Sequence, residues 1–449
     1  MWYHNIRTRT YAPCRIFLTS NSPAIHNVCA AGQRKGKANM EKINVGWVGL
    51  GGRGYGLLGM VLDTMPDVNI LGVCDLYDDR VERGRKLVED KRGTSPVAVK
   101  DYRRLLEMSE IDAIITPSAW EAHIDVCIDS MLAGKYVATE VGGAYSVEQC
   151  WELVRTYERT RVPCMMLENC CYGKEEMTVL NMIKQGLFGE VIHCEGGYRH
   201  DLRDEVSLGG VNRHYRLRNY MNRNAELYPT HELGPIAKYL DINRGNRMIM
   251  LTAMASKSAG LNHWIKENKG EDFENANFRF AEGDVVTTCI KCAHGETIVL
   301  THDTSLPRPY SRGNLVQGTK GMWFEDTHGV LFDGLADGPS WGHRYTNLDE
   351  FYDKYLHPLW RGYEAVGGHG GMDYLVMRGF VEAVMNQTQT PIDVYDTAAW
   401  MSITPLSENS IACGSMPVAI PDFTNGKWTH REDFVRSKWC LEAVCDEQF

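Results

Sequence analysis

No run of apolar residues in this chain approaches the roughly 18–20 that a membrane-spanning helix needs, so a helical membrane protein is excluded. An excess of basic residues is lacking too. With 48 Lys and Arg against 58 Asp and Glu, the formal charge is -10, and neither nucleic acid nor an anionic membrane is expected as a partner. Cysteines are plentiful, but a disulfide or metal framework is missing: the 14 are scattered, and their one C-x-x-C pair, Cys289 and Cys292, falls in an alternating run. Strand positions three apart face opposite ways, which is poor geometry for one metal, so no metal centre is expected. Reduced, mostly buried thiols suit a cytoplasmic protein. Acidic residues are absent from positions 1–39, which hold six Lys or Arg. That composition fits a transit peptide, or an extension ahead of a start at Met40; either way these residues stand outside the fold.

What is present is a nucleotide-binding pattern. The 449 residues exceed the usual single-core limit, so two domains are expected. An apolar strand from Ile43 runs into Gly49-Leu50-Gly51-Gly52-Arg53-Gly54, an amphipathic helix follows, and a second strand ends at Asp75. This is G-x-G-x-x-G between strand and helix, with an acid about 20 residues on. The first glycine permits the tight turn, the second lets backbone approach a pyrophosphate, and the third allows close helix packing. Asp75 is placed for a ribose 2′-hydroxyl, and its charge would repel a 2′-phosphate, which favours NAD over NADP. Arg53 in the loop could neutralise phosphate charge. Further β-α alternation through Val162–Leu167 predicts a doubly wound parallel Rossmann sheet over residues 40–168. Ligands bind outside the carboxyl ends of such strands, which brings Ser118, Trp120, His123, Glu140 and Asn169 toward the cofactor.

From residue 169 to about 428 the rhythm changes to α+β, with strands whose alternation predicts a largely antiparallel sheet with an open face. Such a face is one a homodimer would use. Helices near Met372–Met385 and Thr397–Cys413 are expected to return to the first domain, and residues 429–449 read as a tail. A stretch of little regular period, 199–231, follows Tyr198 and carries His200, Asp201, Arg203, His214, Tyr215, Arg216, Tyr228 and His231. Aromatic faces with polar groups among them suit a polyhydroxylated ligand, so a carbohydrate or glycoconjugate pocket is expected here.

The glycine loop, Asp75 and the domain order resemble the Gfo/Idh/MocA sugar oxidoreductases. Those enzymes carry Glu-Lys-Pro at the fifth strand, the lysine helping to move a hydroxyl proton; here the position reads Glu140-Val141-Gly142. A closer resemblance, spanning about Ile43 to Trp428, is to glycoside hydrolase family 109, the NAD-dependent α-N-acetylgalactosaminidases. It is carried by Trp120-Glu121-Ala122-His123, Leu167-Glu168-Asn169, Gly197-Tyr198-Arg199-His200-Asp201-Leu202-Arg203, Asn222 through His231, Asp241 through Arg247, Leu300 through Ser305, Gly367-Gly368-His369-Gly370-Gly371-Met372-Asp373-Tyr374 and Pro421 through Trp428.

That resemblance implies cofactor contacts at Gly52, Arg53, Asp75, Trp120, Glu121, His123, Glu140, Val141 and Asn169, and substrate contacts at Tyr198, Arg216, Tyr228, Pro229, Thr230, His231 and Tyr310. It also implies that NAD is resident and not consumed. Transient oxidation at the sugar C3 hydroxyl acidifies the C2 proton, elimination expels the C1 leaving group, water adds at C1, and C3 is restored. Tyr228 is assigned to the C2 proton and His231 to proton transfer at C3 or C1, with Glu140 and His200 as further candidates. A tyrosine base needs a depressed pKa, for which Arg216 and the cofactor charge are the expected cause. The competing reading is an NAD-dependent sugar dehydrogenase of the Gfo/Idh/MocA type.

Overall fold

The computed structural model describes residues 40–334, 344–431, 437–442 and 444, so the extension at 1–39 lies outside the described residues. The first domain runs β1 (Ile43–Val48), α1 (Gly52–Thr64), β2 (Val68–Cys74), α2 (Asp78–Arg92), β3 (Val97–Val99), α3 (Arg103–Leu106), β4 (Ala113–Thr116), α4 (Trp120–Leu132), β5 (Tyr136–Thr139), α5 (Val147–Thr160) and β6 (Cys164–Met166). All six strands are parallel, in the order β3-β2-β1-β4-β5-β6. Helices cover both faces, so β4 and β6 are buried at every position and read as unbroken apolar runs. The order reverses between β1 and β4, and the crevice for a ligand opens there.

The second domain begins with α6 (Lys174–Lys184) and β7 (Val191–Arg199). The stretch expected to lack regular structure holds α7 (Arg203–Ser207), α8 (Gly209–Asn212) and α9 (Arg216–Asn222), followed by α10 (Thr230–Tyr239). At four to seven residues, the first three are too short to print a 3.6-residue period on the sequence. Next come β8 (Met248–Ala255), α11 (Gly260–Lys269), β9 (Val285–Cys292), β10 (Thr297–Asp303), β11 (Leu315–Gly318), β12 (Gly321–Phe324), β13 (Gly329–Phe332), β14 (Thr346–Asn347), α12 (Tyr352–Tyr355), α13 (Met372–Asn386), α14 (Val394–Met401), α15 (Ile403–Ala412) and β15 (Val418–Ala419). The nine strands pair in the order β14-β13-β12-β11-β7-β10-β9-β8-β15. Only β7 and β10 run parallel; the other pairings are antiparallel. Along β9 buried and open positions alternate, so Cys289 is exposed and Cys292 buried, on opposite faces.

The last helices return to the first sheet. α14 packs on α5 and β6, and Ala144 N donates to Met401 O at 3.0 Å. The expected tail is in part a structural element. Trp439, Cys440 and Leu441 are buried, Tyr172 Oη donates to Trp439 O at 3.0 Å, and Lys238 Nζ holds Glu442 at 2.8 Å. An apolar Trp-Cys-Leu triplet was the sequence signal for that docking.

Candidate active site

The turn from β1 into α1 is built as its glycines require. Gly49 has φ +111°, and a Cβ there would sit 2.6 Å from Pro117 O. A Cβ on Gly54 would lie 2.2 Å from Gly49 O, so α1 could not pack this close to the turn with any other residue. Gly51 and Gly52 differ. Beside Gly52 there is nothing within 4 Å, beside Gly51 only the Arg80 side chain at 3.7 Å, and both line a cavity of about 690 Å³. Side chains there would fill space that the bare backbone leaves for a ligand at the start of a 13-residue helix. Asp75 is steered by the same turn, its Oδ2 accepting from Leu50 N at 2.8 Å and its Oδ1 from Tyr77 N at 3.1 Å, and its carboxylate lines the cavity. The residues present therefore fit a dinucleotide.

Across the cavity from this cradle, α10 and β7 present a relay. His231 Nδ1 donates to Glu168 Oε1 at 2.7 Å, and its Nε2 faces Tyr228 Oη at 3.5 Å. Glu168 stands at the end of β6, wholly buried. Burial pushes its carboxyl up, but His231, Thr230 and Cys170 N outweigh it, and the group sits below the usual carboxylate range. An ionised acceptor on Nδ1 holds the proton on that nitrogen and turns Nε2 toward Tyr228 and the cavity. Tyr198 packs on Tyr228, ring centroids 4.3 Å apart. The Arg216 guanidinium lies over three rings, 4.9 Å from Tyr228, 5.1 Å from Trp120 and 5.5 Å from Tyr198. Its Nε is 2.9 Å from Glu205 Oε1 at an angle that makes no hydrogen bond, and among the described residues buried Nη1 makes no well-aligned hydrogen bond. A buried donor without an acceptor at a cavity wall points to an oxygen on a ligand.

The Tyr228 phenol is not depressed. Burial and neighbouring Tyr198 drive it well above the ordinary phenol value, and Arg216 only partly opposes them. Cations must compete with full desolvation at this site, and here desolvation wins.

Of the residues expected at the site, Gly49, Gly51, Gly52, Arg53, Gly54, Asp75, His123, Glu140, Val141, Tyr198, Arg216, Tyr228 and His231 line the one cavity. His123 is buried, its Nε2 donates to Ser118 O at 3.0 Å, and burial lowers its pKa to about 4, so the ring is neutral. Arg53 is not directed to the phosphate cradle. Its guanidinium binds Glu140 Oε1 at 3.0 Å and both Asp373 oxygens at 2.7 and 2.9 Å. Asn169 is also committed elsewhere, its amide donating to Asp373 Oδ1 at 2.8 Å. Trp120 packs behind the wall against Tyr215, and a side chain at Gly142 would strike its indole at 2.4 Å. Glu121 is ion-paired to Arg218. Pro229 and Thr230 start α10 beneath the wall, and His200 stands edge-on to half-exposed Tyr310 at 5.1 Å, next to Tyr198.

Three residues escaped the sequence reading of the site. Glu168 and Asp373 are buried carboxylates that hold His231 and Arg53. His369 lines the cavity at its open side, 53% exposed, with Nδ1 on Asp373 Oδ2 at 2.9 Å. A histidine inside Gly-Gly-His-Gly-Gly was a signal, since glycines on both sides let a loop present one ring. The donor atoms of Glu168, Cys170 and His231 lie within 4.8 Å of one another. Here the shared Nδ1 proton and Arg312 Nη1, 3.3 Å from Cys170 Sγ, favour a proton relay over a cation.

Residues 172–430 match the family described as glycosyl hydrolase 109, C-terminal domain, and residues 43–168 match the oxidoreductase family, NAD-binding Rossmann fold. The chain belongs to glycosyl hydrolase family 109. A family 109 protein of Parabacteroides distasonis is 39% identical over 429 residues, covering 89% of this chain and 91% of the relative. An alpha-N-acetylgalactosaminidase of Tannerella forsythia is 39% identical over 90% of this chain and 91% of its own, and one of Shewanella oneidensis is 40% identical over 87% of each. Among solved structures, apo scyllo-inositol dehydrogenase from Lactobacillus casei aligns with a TM-score of 0.60 at 13% identity, over 85% of this chain and 99% of that one. An Agrobacterium radiobacter oxidoreductase in complex with NAD+, L-tartaric acid and magnesium gives 0.59 at 16% identity, over 84% and 98%. These two show that this family 109 chain has the oxidoreductase fold. Among the described residues no helix is long and apolar enough to cross a membrane.

Proposed function

We propose that this family 109 protein hydrolyses terminal α-N-acetylgalactosaminides, or a closely related glycoside, using a retained NAD. One observation carries the reading: the glycine cradle and the Tyr228–His231 pair, backed by Glu168, face the same cavity. A nucleotide site alone would serve a dehydrogenase; a base, a phenol and an exposed imidazole around the same space serve bond cleavage. The names borne by the Tannerella and Shewanella relatives support the substrate class. NAD is preferred to NADP because Asp75 would repel a 2′-phosphate and Arg53 is engaged by Glu140 and Asp373.

Gly49, Gly51, Gly52 and Gly54 would cradle the pyrophosphate, Asp75 the ribose, and His123 and Val141 the inner end. Bound there, a nicotinamide supplies transient oxidation of the sugar C3 hydroxyl to a ketone, which acidifies the C2 proton. His231 Nε2 takes the hydroxyl proton, and the Glu168 carboxylate stabilises the imidazolium that results. Tyr228, whose proton is held on by burial, first donates to His231 and becomes a base for C2 only when that proton passes to Nε2, after Nε2 has given the C3 proton up to solvent in the cavity. Arg216 Nη1 binds a substrate oxygen, with Tyr198 beside it and Tyr310 at the outer edge. His369, exposed at the mouth, protonates the leaving group. Glu140 and His200 position neighbours: Arg53 occupies one Glu140 oxygen, and His200 supports Tyr198 and Tyr310.

The decisive experiment incubates the purified protein with an aryl α-N-acetylgalactosaminide in deuterated buffer without added cofactor. Aryl release with deuterium at C2 is expected; steady NADH accumulation without cleavage would replace this reading by that of a dehydrogenase. A cytoplasmic setting fits the free cysteines, and a homodimer fits the open sheet face, where Met254 and Cys289 are exposed.

A further inference from the structure

The polypeptide between α7 and α9 crosses the cavity and is fastened to the first domain on the far side. Arg213 adopts a left-handed conformation, φ +54°, at the end of α8. Its guanidinium makes a two-pronged contact with Asp79 on α2, Nη1 to Oδ1 at 2.9 Å and Nη2 to Oδ2 at 2.7 Å. From α2, Arg80 Nη2 donates back to Asn212 O at 3.1 Å. Both guanidinium groups lie over the Tyr77 ring, Arg213 at 4.3 Å and Arg80 at 4.8 Å. Five residues on, Arg218 on α9 pairs with Glu121 on α4, and between the two ties Tyr215 packs on Trp120 at 4.8 Å. Asn212 through Arg216 line the cavity, and so do Tyr77 and Arg80, which touch them, together with Asp75. A dinucleotide lying on the glycine cradle would be enclosed beneath this crossing.

We infer that Asp79 and Glu121 are positioning residues, acting through Arg213 and Arg218, that keep residues 209–218 latched over the nucleotide and set how slowly it exchanges. This rests on the reading that the cradle binds a nicotinamide dinucleotide. It gives Glu121 a role that its place off the cavity wall denies it as a direct contact. It also supplies what a redox-neutral cycle requires: a cofactor that returns to its starting state has no need to leave, whereas a dehydrogenase must release it each turnover. The latch pairs are accessible, with Asp79 63% and Arg218 54% exposed, so each is an individually weak, salt-screened tie.

The mechanism makes a kinetic distinction. A latch closed over both the free and the occupied cavity slows entry and exit equally, so opening it raises both rates and leaves affinity unchanged. A residue touching the nucleotide changes affinity instead. The test loads full-length protein with NADH and follows its fluorescence on mixing and on displacement by excess NAD+. For Asp79→Asn combined with Glu121→Gln, association and release should both rise roughly ten-fold, about three-fold per tie, with Kd held within about two-fold. In the wild type, raising salt should move both rates the same way. The exchange of charges Asp79→Arg with Arg213→Asp should return release toward the wild-type rate. Release unchanged in the double variant, or release that rises together with Kd, overturns the latch. Wild-type protein that takes up no NADH overturns the nucleotide reading itself, and the latch with it.

Discussion

Replacing Glu168 by glutamine keeps the shape of the side chain and removes its charge. The carboxylate is wholly buried, accepts from Cys170 N at 3.1 Å and sits 2.7 Å from His231 Nδ1. A hydrogen bond to a charged group contributes about 1.5–3 kcal/mol, which at the transition state is roughly a 10- to 150-fold loss in rate. A second effect adds to it. If the glutamine amide turns its NH2 toward His231, Nδ1 must accept, the imidazole takes the other tautomer, and Nε2 loses its lone pair for the substrate. The corresponding Asp→Asn change in serine hydrolase triads costs about 10⁴ for that reason. Aryl glycoside cleavage by Glu168→Gln should therefore fall in kcat by at least about 10-fold and by up to about 10⁴. NADH affinity should not change, because Glu168 does not line the cavity. Cleavage within about three-fold of wild type would refute the relay, since no proton acceptor needing this carboxylate could lose it so cheaply.

His369→Ala should slow hydrolysis of alkyl glycosides by about 10²–10⁴ while sparing nitrophenyl substrates, whose leaving groups need no proton; equal losses on both would remove it as the acid. Gly54→Ala puts a Cβ 2.2 Å from Gly49 O, so α1 must shift; thermal unfolding should show a loss of about 1–3 kcal/mol, together with weakened NADH binding. Glu226 is wholly buried, and burial pushes its carboxyl up to about 8 from 4.5. Between those values the folded protein holds a proton that the unfolded chain has released, so stability falls as pH rises through that window. Glu226→Gln should therefore narrow the difference between Tm at pH 5 and at pH 8, and an unchanged difference would place the proton elsewhere.

Much of this was legible because it is local. The glycine loop, its strand and helix, and Asp75 are encoded within about 30 contiguous residues, and the β-α alternation prints its period directly on the sequence. Tertiary pairing is what stayed hidden. Arg53 finds Glu140 87 positions away and Asp373 320 positions away, and no spacing rule connects them. Reading Arg53 as a phosphate ligand followed its neighbours in sequence and missed its partners in space. Glu168 could have been found by topology, since an acid at the carboxyl end of a parallel strand sits where ligands bind. The Tyr228 error was one of magnitude: a nearby cation was counted, and the cost of burying a phenolate was not.

The missing lysine after Glu140 becomes intelligible once these partners are in place. A lysine at position 141 would project into the cavity that Val141 lines, next to the Arg53–Glu140 pair. In the proposed reading the proton-handling group comes instead from His231 on α10, and its supporting carboxylate from the end of β6. Nucleotide cradle and proton relay are therefore on separate elements, joined by the Arg53–Asp373–Asn169 contacts from α1 through α13 to the end of β6. A net non-oxidising reaction needs a group that takes a proton from the C3 oxygen and later returns one to it, and in the proposed reading His231 serves both steps. The Glu168 carboxylate and the Tyr228 phenol fix the imidazole in the orientation both steps need.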